Sequence, residues 1–165
     1  MIIHPDEIEA LGDVKRPLVF TNGVFDILHR GHVAYLQEAR RLGQSLVVAV
    51  NSDYSVKMQN KGPERPLNTL GDRLALLDAL QCVDVVTWFA ESEPTGLVRK
   101  IRPDILVKGG DYANTRIAGA QEVRSWGGCV VTIPFEHQRS TTALIERIRA
   151  SGLRPGQLVK VDSLP

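Results

Sequence analysis

Thr21-Asn22-Gly23-Val24-Phe25-Asp26-Ile27-Leu28-His29-Arg30-Gly31-His32 is the stretch from which the rest of the chain can be read. Just before it, Leu18-Val19-Phe20 is a short apolar run with the character of a buried strand. Just after it, Tyr35, Leu36, Ala39 and Leu42 recur at i, i+1, i+4 and i+7, the spacing of a helix with one apolar face. Two histidines and two glycines therefore stand where a strand hands over to a helix. In an open parallel sheet such a turn lies at the carboxyl edge, where ligands bind. A helix start also offers unpaired N–H groups and a partial positive charge, both suited to phosphate. Gly31 lets an anion come close to the backbone, and the imidazoles of His29 and His32 can donate to its oxygens.

Working outward, the pattern of strand, polar turn and helix repeats. Residues 1–16 form a polar lead-in with a short helix expected over 6–11. Gly43 closes the first long helix, and Leu46-Val47-Val48-Ala49-Val50 is a second buried parallel strand that ends in Asn51-Ser52-Asp53. The stretch through Lys57, Lys61, Gly62, Pro63, Arg65 and Pro66 has no period and reads as a loop. Thr69 and Asp72 make a capping-box pattern ahead of a helix with Leu70, Leu74 and Leu77 on one face. A third strand is expected over 83–88. Pro94 suits the first turn of a helix running to Ile101. A fourth strand over 104–108 ends at Gly109-Gly110-Asp111-Tyr112, a helix follows over 120–126, and a fifth strand covers 129–134. Ser140-Thr141-Thr142 opens a last helix carrying Leu144, Ile145 and Ile148. Five apolar strands alternating with helices predict an α/β fold with a single doubly wound five-stranded parallel sheet. The domain spans 17–151, with 1–16 as lead-in and 152–165 as an unassigned tail.

Composition narrows the function. A length of 165 residues suits one domain with a sizeable core. The formal net charge of +1, with no basic block, argues against a nucleic-acid partner. No apolar run approaches a membrane span, and Asp6, Glu7 and Glu9 are wrong for a targeting peptide. Cys82 and Cys129 are isolated in apolar runs, which gives neither a disulfide framework nor zinc-ligand spacing. A cytoplasmic protein is expected. The turns at 22–31, 51–53 and 108–112 open on one sheet edge, and the turn at 137–142 can point a helix start at the same cleft. Four turns rich in Gly, Ser, Thr, His and Lys on one edge suggest a polyphosphate site.

The His29-x-Gly31-His32 motif and its lead-in resemble the signature of the H-x-G-H nucleotidyltransferase superfamily, which has a Rossmann-like fold. Further segments resemble one branch, the heptose 1-phosphate adenylyltransferases of lipopolysaccharide precursor synthesis. They are Val50-Asn51-Ser52-Asp53, Lys61-Gly62 with Arg65-Pro66, Leu106-Val107-Lys108-Gly109-Gly110-Asp111-Tyr112, Ile117-Ala118-Gly119 and Ser140-Thr141-Thr142. With the motif they run in order from about residue 16 to 150. The resemblance implies transfer of AMP from ATP to D-glycero-β-D-manno-heptose 1-phosphate, giving ADP-heptose and pyrophosphate. It implies Mg²⁺ with the ATP, a separate heptose 7-phosphate kinase upstream, and a homodimer. Two departures stand out. The 57–66 loop is about one residue longer than in that branch, and Ala143 follows Thr142 where many superfamily members carry Lys.

Reaction at the α-phosphorus depends chiefly on charge and alignment, so positioned donors are the residues to look for. His29 and His32 are expected to hold the α-phosphate, with Lys57 or Lys61 closing over the triphosphate. Ser140, Thr141, Thr142 and their helix start are expected at the β- and γ-phosphates. Thr21, Asn22, Gly23, Phe25, Gly31, Lys108, Gly110 and Asp111 are the remaining nucleotide-side candidates. Asp26, Asn51, Asp53, Lys61 and Arg73 are candidates for the acceptor side. Arg73 has two readings, a pair with a neighbouring acid or a phosphate contact, and the second is slightly favoured. No metal site is expected in the protein itself. Rival functions are cytidylyl transfer to glycerol 3-phosphate or a related alcohol phosphate, and adenylyl or guanylyl transfer to the α-anomer of the heptose phosphate. A non-enzymatic nucleotide sensor is disfavoured by the intact histidines.

Overall fold

Apolar runs with no polar alternation have to be covered on both faces, and the fold does this for each central strand. The computed structural model describes residues 1–59, 62, 64–110, 117–134 and 141–151. Strands β1 (Leu18–Gly23), β2 (Ser45–Asn51), β3 (Val85–Phe89), β4 (Ile105–Gly109) and β5 (Cys129–Ile133) form one parallel sheet in the order β3-β2-β1-β4-β5. Helices α1 (Arg30–Arg41), α2 (Asp53–Met58), α3 (Leu70–Asp78), α4 (Thr95–Ile101), α5 (Ala120–Ser125) and α6 (Thr141–Ala150) follow or join the strands. The doubly wound parallel sheet expected from the pattern is the fold observed.

Alternate strand residues feed two apolar layers. Phe20, Val47, Ala49, Val85 and Leu106 face Leu97, Val98 and Ile101 of α4 and Val123 of α5. Val19, Leu46, Val48, Val50, Val86 and Val107 face Tyr35, Leu36 and Ala39 of α1 and Leu74 and Leu77 of α3. All seven residues of β2 are buried, as a strand flanked on both sides and covered on both faces must be. Leu42, expected on the buried face of α1, caps the helix and is exposed.

The lead-in is built into the domain. Residues Pro5–Asp13 form a 3-10 helix, and Ile8 is buried in the first layer. Ahead of it, Ile2 bridges Val86 in parallel, with Ile3 N–H donating to Val86 O at 2.9 Å and Val86 N–H to Met1 O at 2.9 Å. Acidic residues at 6, 7 and 9 hide this in the sequence, because the apolar side chains between them have a tertiary partner and no clear period.

At the amino edge two carboxylates align neighbouring strands. Asp84 Oδ2 accepts from Leu46 N–H at 2.7 Å and pairs with Arg40 at 2.8 Å. Asp104 Oδ2 accepts from Leu18 N–H at 2.6 Å and pairs with Arg16 at 2.9 Å. Each acid stands just before its own strand and ties the start of the next one. Gly43, between α1 and β2, has no room for a side chain: a Cβ there lies 2.4 Å from Pro17 O and 2.6 Å from a Val19 methyl. Gly43→Ala is expected to destabilise the fold by about 1–3 kcal/mol in urea unfolding, the range for overpacking against a fixed backbone.

Candidate active site

Between β1 and β4 the strand order reverses, and the chain leaves the two carboxyl ends in opposite directions. A cleft opens there, lined by Asn22, Gly23, Val24, Phe25, His32, Tyr35, Lys108 and Gly109. Such a switch point is where open α/β sheets hold their ligands, because no crossover covers it.

The two histidines are set by the start of α1. His29 is the N-cap, in extended conformation, and its Nδ1 accepts the His32 backbone N–H at 3.3 Å. A neutral His29 with Nδ1 accepting carries its proton on Nε2. One turn on, the His32 ring stacks on that of His29 at 3.8 Å between centroids and 13° between planes. Phe25 meets His32 edge-on at 5.3 Å. His32 Nδ1 is buried with no hydrogen-bond partner among the described residues. Burial, then repulsion from His29, lowers the His32 pKa from 6.5 to about 4, with the nearby Ile27 carbonyl pulling the other way. His32 is therefore neutral at pH 7.

Across the cleft, Lys108 at the end of β4 donates to Asn22 O at 3.2 Å and also to the Asn22 side-chain oxygen. This link spans the switch point and places a cation beside the histidines. Gly23 is needed for packing: a Cβ there lies 3.0 Å from the Phe25 ring. Phe25 itself takes φ 49, the left-handed region that L residues rarely occupy. Gly110 takes φ 115 directly after β4, and its N–H donates to Ile133 O at 2.9 Å.

Of the sequence candidates, Asn22, Gly23, Phe25, His32 and Lys108 line the cleft, and His29 and Gly31 stand at the helix start beside it. Thr141 is buried at the start of α6, with Thr142 next in the same turn. The side chain of Thr142, with Lys61, Asp111 and Ser140, lies outside the described residues. Several candidates have partners within the protein. Thr21 is wholly buried, its Oγ1 2.6 Å from the Tyr35 hydroxyl, so it ties β1 to α1 and lines no open space. Asn51 is buried and donates to Ser55 Oγ, which in turn donates to Glu91 O. Asp26 is 1% exposed; its Oδ1 accepts from the N–H groups of Leu67 and Asn68 at 2.8 and 2.9 Å. Its Oδ2 lies 2.9 Å from Arg65 Nε, an ion pair without hydrogen-bond alignment. Arg73 is 0% exposed and pairs with Asp53 at 2.7 Å, so the phosphate contact favoured above gives way to the ion pair. Lys57 stands in the last turn of α2 and not on a loop. The helix was missed because Ser52, read as part of a turn, is its N-cap, accepting from Ser55 N–H at 3.1 Å. Tyr35 was read as core alone, although a buried tyrosine hydroxyl calls for a partner such as Thr21.

Residues 20–147 match the model of the cytidylyltransferase-like family. This chain belongs to that family. It is 59% identical over 140 residues to the D-beta-D-heptose 1-phosphate adenylyltransferase of Bordetella bronchiseptica, covering 85% of this chain and 86% of that protein. It is 49% identical over 144 residues to the bifunctional protein HldE of Hahella chejuensis, covering 87% of this chain but only 29% of the longer protein. Among solved structures, a lipopolysaccharide core biosynthesis protein from Thermoplasma volcanium superposes with a TM-score of 0.61 at 31% identity, over 74% of this chain and 98% of that one.

The buried His32 carries a pH signature. The unfolded chain takes up this proton near pH 6.5 and the folded chain only near 4, so stability is lost as the pH falls through that window. Urea unfolding of wild type and His32→Gln between pH 7 and 4 is expected to show the wild type losing ground steadily below pH 6.5. Gly23→Ala, whose Cβ would lie 3.0 Å from the Phe25 ring and crowd it, is expected to lower kcat about 10-fold or more in a folded protein, as misplaced site groups do.

Proposed function

We propose that the protein transfers the adenylyl group of ATP to D-glycero-β-D-manno-heptose 1-phosphate, releasing pyrophosphate and ADP-heptose for lipopolysaccharide core synthesis. The observation that carries the reading is the stacked His29–His32 pair at the start of α1, facing Lys108 across the β1/β4 switch point. The acceptor is supported by the 59% identical heptose 1-phosphate adenylyltransferase.

An oxygen of the sugar phosphate attacks the α-phosphorus of ATP. A new P–O bond forms as the bond to the β-phosphate oxygen breaks, and pyrophosphate leaves. No covalent enzyme intermediate is needed, so catalysis rests on alignment and charge. His29, whose Nδ1 accepts the capping bond, is assigned to the α-phosphate through its other ring nitrogen. His32 is neutral at pH 7 without nucleotide; an adjacent polyanion raises its pKa and so favours the imidazolium, a stronger donor than the neutral ring. Lys108 offsets charge from the β4 side. Thr141 and the start of α6 are assigned to the departing pyrophosphate. Among the described residues no cluster of three or more His, Cys, Asp or Glu could hold a metal ion. We take Mg²⁺ to enter with ATP, where it would neutralise charge on the triphosphate.

No helix among the described residues is long and apolar enough to cross a membrane. The use of ATP places the reaction in the cytoplasm, downstream of a kinase acting on heptose 7-phosphate. The bifunctional relatives support that coupling.

Pyrophosphate release from ATP, CTP, GTP and UTP, each with the β- and α-anomers of the heptose 1-phosphate, tests the reading. Turnover is expected with ATP and the β-anomer. Turnover with the α-anomer or with CTP and an alcohol phosphate would overturn it in favour of another member of the family. His32→Ala is expected to lower kcat about 100-fold or more, as loss of an oxyanion donor does.

A further inference from the structure

Arg73 is wholly buried on α3, yet the three acceptors of its guanidinium all belong to other segments. Nη1 donates to Val24 O at 2.7 Å, Nε to Asn68 O at 3.2 Å, and Nη2 to Asp53 Oδ1 at 2.7 Å. Val24 O belongs to the peptide that leads directly into Phe25. On the other side of Phe25, Asp26 is held by the backbone N–H groups of Leu67 and Asn68, and the Asn68 side chain donates to Asp26 O. The left-handed Phe25 is therefore gripped at both of its neighbours. Non-glycine residues keep such a conformation only where their surroundings over-determine it. The result of that grip is the edge-on contact of Phe25 with His32 at the mouth of the cleft.

We infer that Arg73 is a positioning residue for the transfer reaction: through the Val24 carbonyl it holds Phe25 against His32 and so fixes the imidazole that grips the α-phosphate. Arg73 touches neither substrate. Any buried guanidinium needs acceptors, and one of the three found here is the peptide next to the left-handed Phe25. The burial that keeps His32 neutral then depends in part on a guanidinium on another helix.

The test uses Arg73→Met, which removes all three bonds, and Arg73→Lys, which keeps the charge but not the planar fork. Folding is checked by urea unfolding, and the His32 ring is titrated by NMR with no substrate present. Only the kinetic arm rests on the adenylyl-transfer reading, so the titration decides the inference even if that reading fails. In folded Arg73→Met the His32 midpoint is expected to move from about 4 toward 6.5. For that variant kcat is expected to fall about 10-fold or more while KM for ATP changes less than about 3-fold, the split left by a lost transition-state alignment. Arg73→Lys is expected between the two. Phe25→Leu, with Arg73 intact, is expected to reproduce the shift in His32. A folded variant whose His32 titrates as in wild type overturns the inference even if turnover falls, because the loss then runs by another route. A shifted His32 with unchanged kcat also overturns it. If Arg73→Met does not fold, Arg73→Lys decides on the same two readouts.

Discussion

A buried guanidinium that lost its acceptors would cost several kcal/mol, so the segments around Arg73 are bound to one arrangement. Val24 from the motif turn, Asn68 from the approach to α3 and Asp53 from α2 all close on that one side chain. Asp26, likewise buried, takes up two further backbone N–H groups from the same approach. The three guanidinium donors and Asp26 Oδ1 all have partners within the protein. The floor of the site is thus held by contacts among its own segments, the kind of preorganised frame electrostatic catalysis needs.

The two edges of the sheet divide the work. At the amino edge, Asp84 and Asp104 each accept an N–H from the start of a neighbouring strand and pair with an arginine, so polar chemistry there aligns strands. At the carboxyl edge the strands run out into Asn22-Gly23 and Lys108-Gly109, residues small or polar enough to leave a cleft. Helix α1 starts at that edge, and its capping histidine serves both the helix and the site. The same His29 Nδ1 caps the first turn of α1 while the ring stacks on His32. Local structure and chemistry are one arrangement here.

Much of this was legible in the chain, for identifiable reasons. Val47 to Val50 could only be a strand covered on both faces, and His29 to His32 could only sit at a helix start. Tyr35, Leu36 and Ala39 gave the covering face of α1. Where sequence and structure differ, the cause is shared. Asp26, Asn51 and Arg73 were polar residues near the right edge and looked like ligands to a substrate. Residue type says that a group needs a partner, and it does not say whether that partner is solute or protein. Lys57 was misplaced because Ser52 looked like a turn residue, when it was the cap of a one-and-a-half-turn helix.

By itself the sequence determined the parallel α/β class, the strand-to-helix position of the histidines and the resemblance to adenylyltransferases, because these rest on local period and short-range motif. Only the tertiary structure decided which polar groups face the cleft. It buried Arg73 and Asp26, stacked His29 on His32, and set Lys108 against Asn22 across 86 residues of chain. Burial and partnership are properties of residues far apart in sequence that meet only when the sheet closes. No reading of spacing could have supplied them.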